Sequence, residues 1–220
     1  MKSLTEQVIL ITGAGRGVGK TLAETLSAEG AIIAAVDISP LLLDELEASI
    51  RGGGGQCRTY VSDMAKKRFV QGIIETVFED WGKIDVLINA GYVNPKGGIL
   101  DLDDWDWQRS LDVNLSGVFY ALQAFGRVAK EQPDGGGVVN LIPQTGNPSL
   151  TVSTFALLRL THEAAAQFAA YNIRVNAICP TEMRQEDLAK HAIRYCGSEL
   201  TGQVAAKNGE RPISEFLLYN

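Results

Sequence analysis

The sequence predicts an α/β fold: one doubly wound domain built on a parallel sheet of about seven strands, with helices on both faces. Three observations carry that expectation. Short runs rich in β-branched and other apolar residues recur along the chain without polar alternation, as strands buried on both faces do. Longer segments with apolar residues at helical spacing separate them. The first run passes directly into a glycine cluster that itself opens a helical pattern. Taken in order, Val8-Ile9-Leu10-Ile11 reads as the first strand and 18–28 as the first helix. A second strand over 31–36 ends at Asp37 and Pro40, and apolar spacing makes 41–50 helical until the glycines 52–55 break it. Strands are expected at 58–61, 84–89, 138–142, 174–178 and 202–206. Helices are expected at 66–81, 103–131 (in one or two pieces) and 152–170. No internal repeat or linker divides the chain, so 1–220 is expected to form a single domain.

Composition narrows the function classes. Of 220 residues, 45% are hydrophobic and 21% charged, enough apolar surface for a core and too much for a disordered chain. A net charge of −6 gives no general attraction to nucleic acid or to anionic membrane. No apolar run is long enough to span a bilayer, and residues 1–7 lack the apolar stretch of a signal peptide. The three cysteines, Cys57, Cys179 and Cys196, are odd in number and widely spaced, which fits a reducing compartment and a cytoplasmic protein. His162 and His191 form no ligand cluster with them, so no metal is expected. Trp81, Trp105 and Trp107 read as core or interface anchors.

The most specific local signal is Thr12-Gly13-Ala14-Gly15-Arg16-Gly17-Val18-Gly19, placed where the first strand meets the first helix. Glycines there permit a tight turn and let the backbone approach a pyrophosphate, which the helix N-terminus then holds with free N–H groups and its positive dipole end. Asp37 follows at the carboxyl end of the second strand. A carboxylate there accepts a hydrogen bond from a ribose 2′-hydroxyl and repels a 2′-phosphate, so NAD is expected over NADP. Arg16 pulls weakly the other way.

With these residues the chain resembles the short-chain dehydrogenases/reductases, a family of Rossmann-type enzymes. The Thr-Gly-x-x-x-Gly-x-Gly pattern at 12–19 is similar to that family's cofactor loop. Asp63, beside Met64, matches the acid that usually bonds the adenine, and Asn89-Ala90-Gly91 matches the family's Asn-Ala-Gly. Asn114, within Asp112-Val113-Asn114-Leu115, matches the Asn of the catalytic proton relay. Arg174-Val175-Asn176-Ala177 and Thr201-Gly202-Gln203-Val204 match late strands. The resemblance runs from about residue 5 to 209 and implies a cofactor site built from Gly13, Arg16, Gly17, Val18, Gly19, Asp37, Asp63, Met64, Asn89, Ala90 and Gly91. Asn89 and Asn114 can equally brace the fold.

The same resemblance implies a catalytic Ser, Tyr and Lys, with the Lys one helical turn after the Tyr so that its charge lowers the phenol's pKa and its ammonium holds the nicotinamide ribose. Here Pro143, Leu150 and Thr154 stand in those places, and residues 131–170 contain no Tyr or Lys. Only Asn114 is left of the relay. Tyr92-Val93-Asn94-Pro95-Lys96 has the right spacing but follows a strand directly, and Pro95 disfavours the helical turn that would join the pair. Two stretches also look cut back: six residues separate Pro143 from Leu150, and only 182–200 lie between Thr181, where the family has Gly, and Thr201. The expectation is a chain that keeps a weakened NAD site and serves in binding, sensing or assembly, as a homo-oligomer (dimer or tetramer) or beside an active relative. The alternative is an NAD-dependent oxidoreductase of carbonyl or alcohol substrates with a rearranged site.

Overall fold

A computed structural model describes residues 3–143, 147–180, 183–197, 199–206 and 209–215. The chain starts in the middle of its sheet. Strand β1 (Val8–Thr12) is buried along its whole length and pairs in parallel with β2 (Ile32–Asp37) on one side and β4 (Val86–Asn89) on the other. From β1 the chain runs outward through helix α1 (Gly17–Ala28), β2, α2 (Pro40–Gly52), β3 (Gln56–Val61) and α3 (Lys67–Trp81). It then crosses back to β4 and continues the other way through β5 (Gly136–Leu141), β6 (Ile173–Ile178), β7 (Gln203–Ala206) and β8 (Gly209–Pro212). The order β3-β2-β1-β4-β5-β6-β7-β8 therefore reverses between β1 and β4. In open α/β sheets that reversal opens a crevice at the strands' carboxyl ends, where ligands bind.

Successive residues of a strand face opposite sides, so β1 feeds two cores. Val8 and Leu10 join Val70, Ile74 and Phe125 on the face covered by α3, α5 (Val118–Ala129) and α6 (Pro148–Phe168). Ile9 and Ile11 join Leu22, Leu43 and Leu46 on the face covered by α1 and α2. The expected doubly wound sheet is present, with two differences. It has eight strands rather than about seven, and the last pairs antiparallel with β7, as a hairpin edge. The segment before β7 also holds a helix that the periodicity reading left out, α7 (Gln185–Gly197), whose Leu188, Ala192 and Tyr195 pack into the α1–α2 face.

The expected helix over 103–131 is one continuous rod with a change of pitch. Helix α4 (Asp104–Leu111), capped by the Asp103 side chain accepting from Asp106 N, passes into a π-helical turn, Asp112–Gly117, and then into α5. π-Helical turns recur at functional sites because the widened turn re-aims its side chains. This one carries Asn114.

Candidate functional site

The glycine loop is held by backbone and by Asp37. Ala14 N donates to Val36 O, and Asp37 Oδ2 accepts from Gly15 N at 3.0 Å while its Oδ1 accepts from Ser39 N at 3.1 Å. The acid picked out for a ribose thus also ties the loop after β1 to the end of β2. Gly13 has φ +65°, and a Cβ there would lie 2.3 Å from the Gly91 Cα, so the two loops at the sheet's reversal touch through backbone alone. A Cβ on Gly19 would lie 2.1 Å from the Gly13 carbonyl oxygen, which sets how closely α1 docks beneath the loop. Arg16 precedes α1 in an extended conformation without a side-chain cap bond, and the first turn holds no acid. The α1 N–H groups and the dipole's positive end are therefore available to an anion.

Asp63 is tied up in a way the sequence did not suggest. Arg109 of α4 grips it through two nitrogens, Nη1 to Oδ2 at 3.2 Å and Nη2 to Oδ1 at 3.1 Å, and Ala65 N donates to Oδ1. Burial alone would raise the Asp63 carboxyl, but the Arg109 hydrogen bonds, the Ala65 N–H and the nearby positive charges outweigh it and hold the group below its ordinary value. A doubly bonded carboxylate still has lone pairs for an adenine amino group.

These pieces open onto one cleft of about 640 Å³ at the reversal of strand order. Its walls include ten of the eleven residues expected at a cofactor: Gly13, Arg16, Gly17, Val18, Gly19, Asp37, Asp63, Met64, Ala90 and Gly91. Asn89 is the exception. It lies buried beneath the cleft, where its Nδ2 donates to Asn140 Oδ1, and Asn140 in turn donates to Thr161 Oγ1. That chain braces β4, β5 and α6. Ile38, Ser62, Trp105, Asp106 and Arg109 also line the cleft and were not foreseen. Arg109 stands one helical turn before Val113, another wall residue, so i, i+4 spacing from the Asp112-Val113-Asn114 motif was the available signal.

Asn114 does not reach the cleft wall. Its Oδ1 accepts from Val93 N at 2.8 Å, and its Nδ2 donates to Val93 O at 3.0 Å and to Ser153 Oγ at 3.1 Å. The side chain clamps the loop after β4 onto α6. Asn147 holds the same loop from the other end, donating to Pro95 O and to Gly97 O while its Oδ1 caps α6 at Ser149 N and Leu150 N. That loop contains no helical turn between Tyr92 and Lys96, in line with the rejection of the pair. Tyr92 is 41% exposed and lines the cleft.

The three positions that the resemblance gives to Ser, Tyr and Lys are closed. Pro143 is buried, Leu150 is 0% exposed and Thr154 3%, and Thr154 Oγ1 donates to Leu150 O at 2.7 Å. Thr181 and residues 144–146 lie outside the described residues. Of the segment 182–200, the part described is mainly α7, packed into the core. All three cysteines are free and buried; burial is the main cause that pushes each thiol up to about 12, which keeps it inert. Among the described residues no cluster of metal-ligating side chains occurs, and no helix is long and apolar enough to cross a membrane.

Comparison with known proteins agrees with this arrangement. A family model for short chain dehydrogenases matches residues 7–193. The chain belongs to that family. Its D-threitol dehydrogenase relative from Mycolicibacterium smegmatis is 33% identical over 189 residues, covering 83% of this chain and 72% of that protein. A crystal structure of a short chain dehydrogenase from Mycobacterium smegmatis superposes with a TM-score of 0.87 at 26% identity, over 94% of this chain and 93% of the other. NAD⁺-bound xylitol dehydrogenase superposes with a TM-score of 0.76 at 36% identity, over 81% of this chain and 71% of its own. The family is one of oxidoreductases that bind a nicotinamide dinucleotide, and the relatives' names are those of dehydrogenases and reductases.

Proposed function

We propose that this single-domain chain binds NAD in the cleft between β1 and β4 and does not carry out the Ser–Tyr–Lys chemistry of its family. The observation that carries this reading is the start of α6, where a buried Leu150 and an inward-bonded Thr154 replace the proton donor and its cation. Leu has no proton to give and Thr no charge to lower a phenol's pKa. The role is then binding, sensing or assembly, in the cytoplasm. It is carried out as a homo-oligomer or beside an active relative, a view supported by the exposed Phe119, Val152 and Phe155 on α5 and α6. Asp37 at the ribose position supports NAD over NADP. Titration of both cofactors against wild type and Asp37→Ala tests the binding half. NAD should bind wild type and lose affinity in the variant, and no binding at millimolar NAD would leave a purely structural role.

The relatives' names weigh toward a second reading, an oxidoreductase with a rearranged site, and Tyr92 on the cleft wall is its candidate acid. Hydride transfer from NADH to a panel of carbonyl compounds, abolished by Tyr92→Phe, would establish it. A panel without turnover counts against it.

A further inference from the structure

Resting on the proposed nucleotide site, we infer that the cleft recognises only the adenosine diphosphate part of its ligand, so that ADP-ribose binds as well as NAD and the nicotinamide adds no affinity. The two ends of the site differ in what they offer. At one end stand the open N-terminus of α1, the Asp37 carboxylate and the Asp63–Arg109 pair, all facing the cleft and suited to a pyrophosphate, a ribose diol and a purine edge. At the positions that the family resemblance gives to the catalytic residues, none of which lines the cleft, the polar groups turn inward. Thr154 Oγ1 is bonded to Leu150 O, Ser153 Oγ to Leu150 O and Asn114, and Leu150 shows no surface at all. Pro143 has neither a backbone N–H nor a polar side-chain atom to donate.

The loop that would have to move to expose anything further is fixed at both ends. Asn114 bonds both the N–H and the carbonyl of Val93, and Asn147 bonds the carbonyls of Pro95 and Gly97. Each of these amides is also tied to α6, through Ser153 and through the helix cap. Opening the loop breaks several bonds at once, each a net loss when exchanged for water. A second ribose and a nicotinamide ring therefore meet, at the loop's face of the cleft, the apolar Val93 and Pro95 and the exposed Tyr92 and Asn94, whose polar atoms already bond water and gain little net from exchanging it for ligand. A ring left in solvent contributes nothing to affinity, whereas diphosphate and adenosine carry the charge and hydrogen bonds.

Isothermal titration of the full chain with NAD, NADH, ADP-ribose, ADP and AMP tests this. The expected result is dissociation constants for NAD, NADH and ADP-ribose that agree within about threefold, with AMP weaker by at least about tenfold because it lacks the second phosphate. NADH bound to the chain should keep the emission of free NADH and be displaced by ADP-ribose. NAD or NADH binding about tenfold or more tightly than ADP-ribose, or an enhanced and shifted NADH emission, overturns the inference while leaving the nucleotide site standing. Absence of binding by every one of these nucleotides overturns both.

Discussion

Asn114 offers the sharpest separation of a bracing role from a catalytic one. In Asn114→Leu the side chain keeps its branching at Cγ and loses its amide, in a position only 2% exposed. Three bonds disappear: those to Val93 N, Val93 O and Ser153 Oγ. Leaving a buried polar group without a partner costs about 1–3 kcal/mol. Val93 is half-buried, so water recovers part of the loss there, and Ser153 Oγ keeps its bond to Leu150 O. The sum is about 2–4 kcal/mol, which for a chain of this size lowers the melting temperature by about 5–15 °C. Urea unfolding followed by circular dichroism, together with calorimetry, measures it. A variant within about 0.5 kcal/mol of wild type would refute the clamp, since losing three bonds of which water restores only part is not that cheap.

Two further outcomes follow from the same geometry. Gly13→Ala combines a left-handed backbone with a Cβ 2.3 Å from the Gly91 Cα and 2.6 Å from its nitrogen. It should cost about 2–4 kcal/mol in urea unfolding and abolish nucleotide binding, so wild-type titration curves would contradict the contact. Arg109→Met removes the partner that holds the Asp63 carboxyl below its ordinary value of 3.8. A lowered carboxyl pKa stabilises the fold above the unfolded value, and that stabilisation is lost as pH falls through the folded one. Wild type should therefore exceed the variant by about 1 kcal/mol at neutral pH, with the gap closing below about pH 4. A gap independent of pH in denaturation midpoints would show that the pair contributes through packing instead.

What was legible beforehand divides along physical lines. The sheet and the glycine loop follow from local rules, continuous apolar runs and residues whose backbone must turn tightly, so strands β1 to β7 and the Gly13–Gly19 turn stand where the periodicity put them. Strand β8 has no such signal: Gly-Glu-Arg-Pro is polar, half-buried and on the sheet's edge, where pairing is a matter of backbone alone. Helix α7 did have one, Leu188, Ala192 and Tyr195 at helical spacing. That spacing falls within 182–200, the stretch that the resemblance marks as cut back. Within the site, Asp37 lies next to its loop through strand order, whereas Arg109 meets Asp63 from 46 residues away, and no spacing rule links them. Asn89 was open both ways. Of the two roles open to it, binding or bracing, its side chain takes the brace, bonding Asn140 between β4, β5 and α6.

On the proposed reading, the start of α6 has given up one half of such a site while the fold gained. A tyrosine and a lysine held toward a ligand must keep a hydroxyl and an ammonium unpaired by protein, and sites of that kind are maintained at the expense of stability. The residues that the resemblance sets in those positions, Leu150 and Thr154, are part of a packing seam. Leu150 is wholly buried, and burying a leucine contributes about 1.5–3 kcal/mol. Thr154 bonds its own helix, and Ser149 Oγ bonds both Asn147 Oδ1 and Ser110 Oγ, which joins α6 to α4. The adenine half has no equivalent packing, because Gly13 and Gly19 are fixed by backbone contacts that no larger side chain can replace. Asp37 is held there too, since its carboxylate ties the glycine loop to β2. The nucleotide half of the cleft therefore persists partly for structural reasons. The Asp37→Ala titration consequently needs unfolding measured alongside binding, so that loss of the loop's tether is not mistaken for loss of a ribose contact.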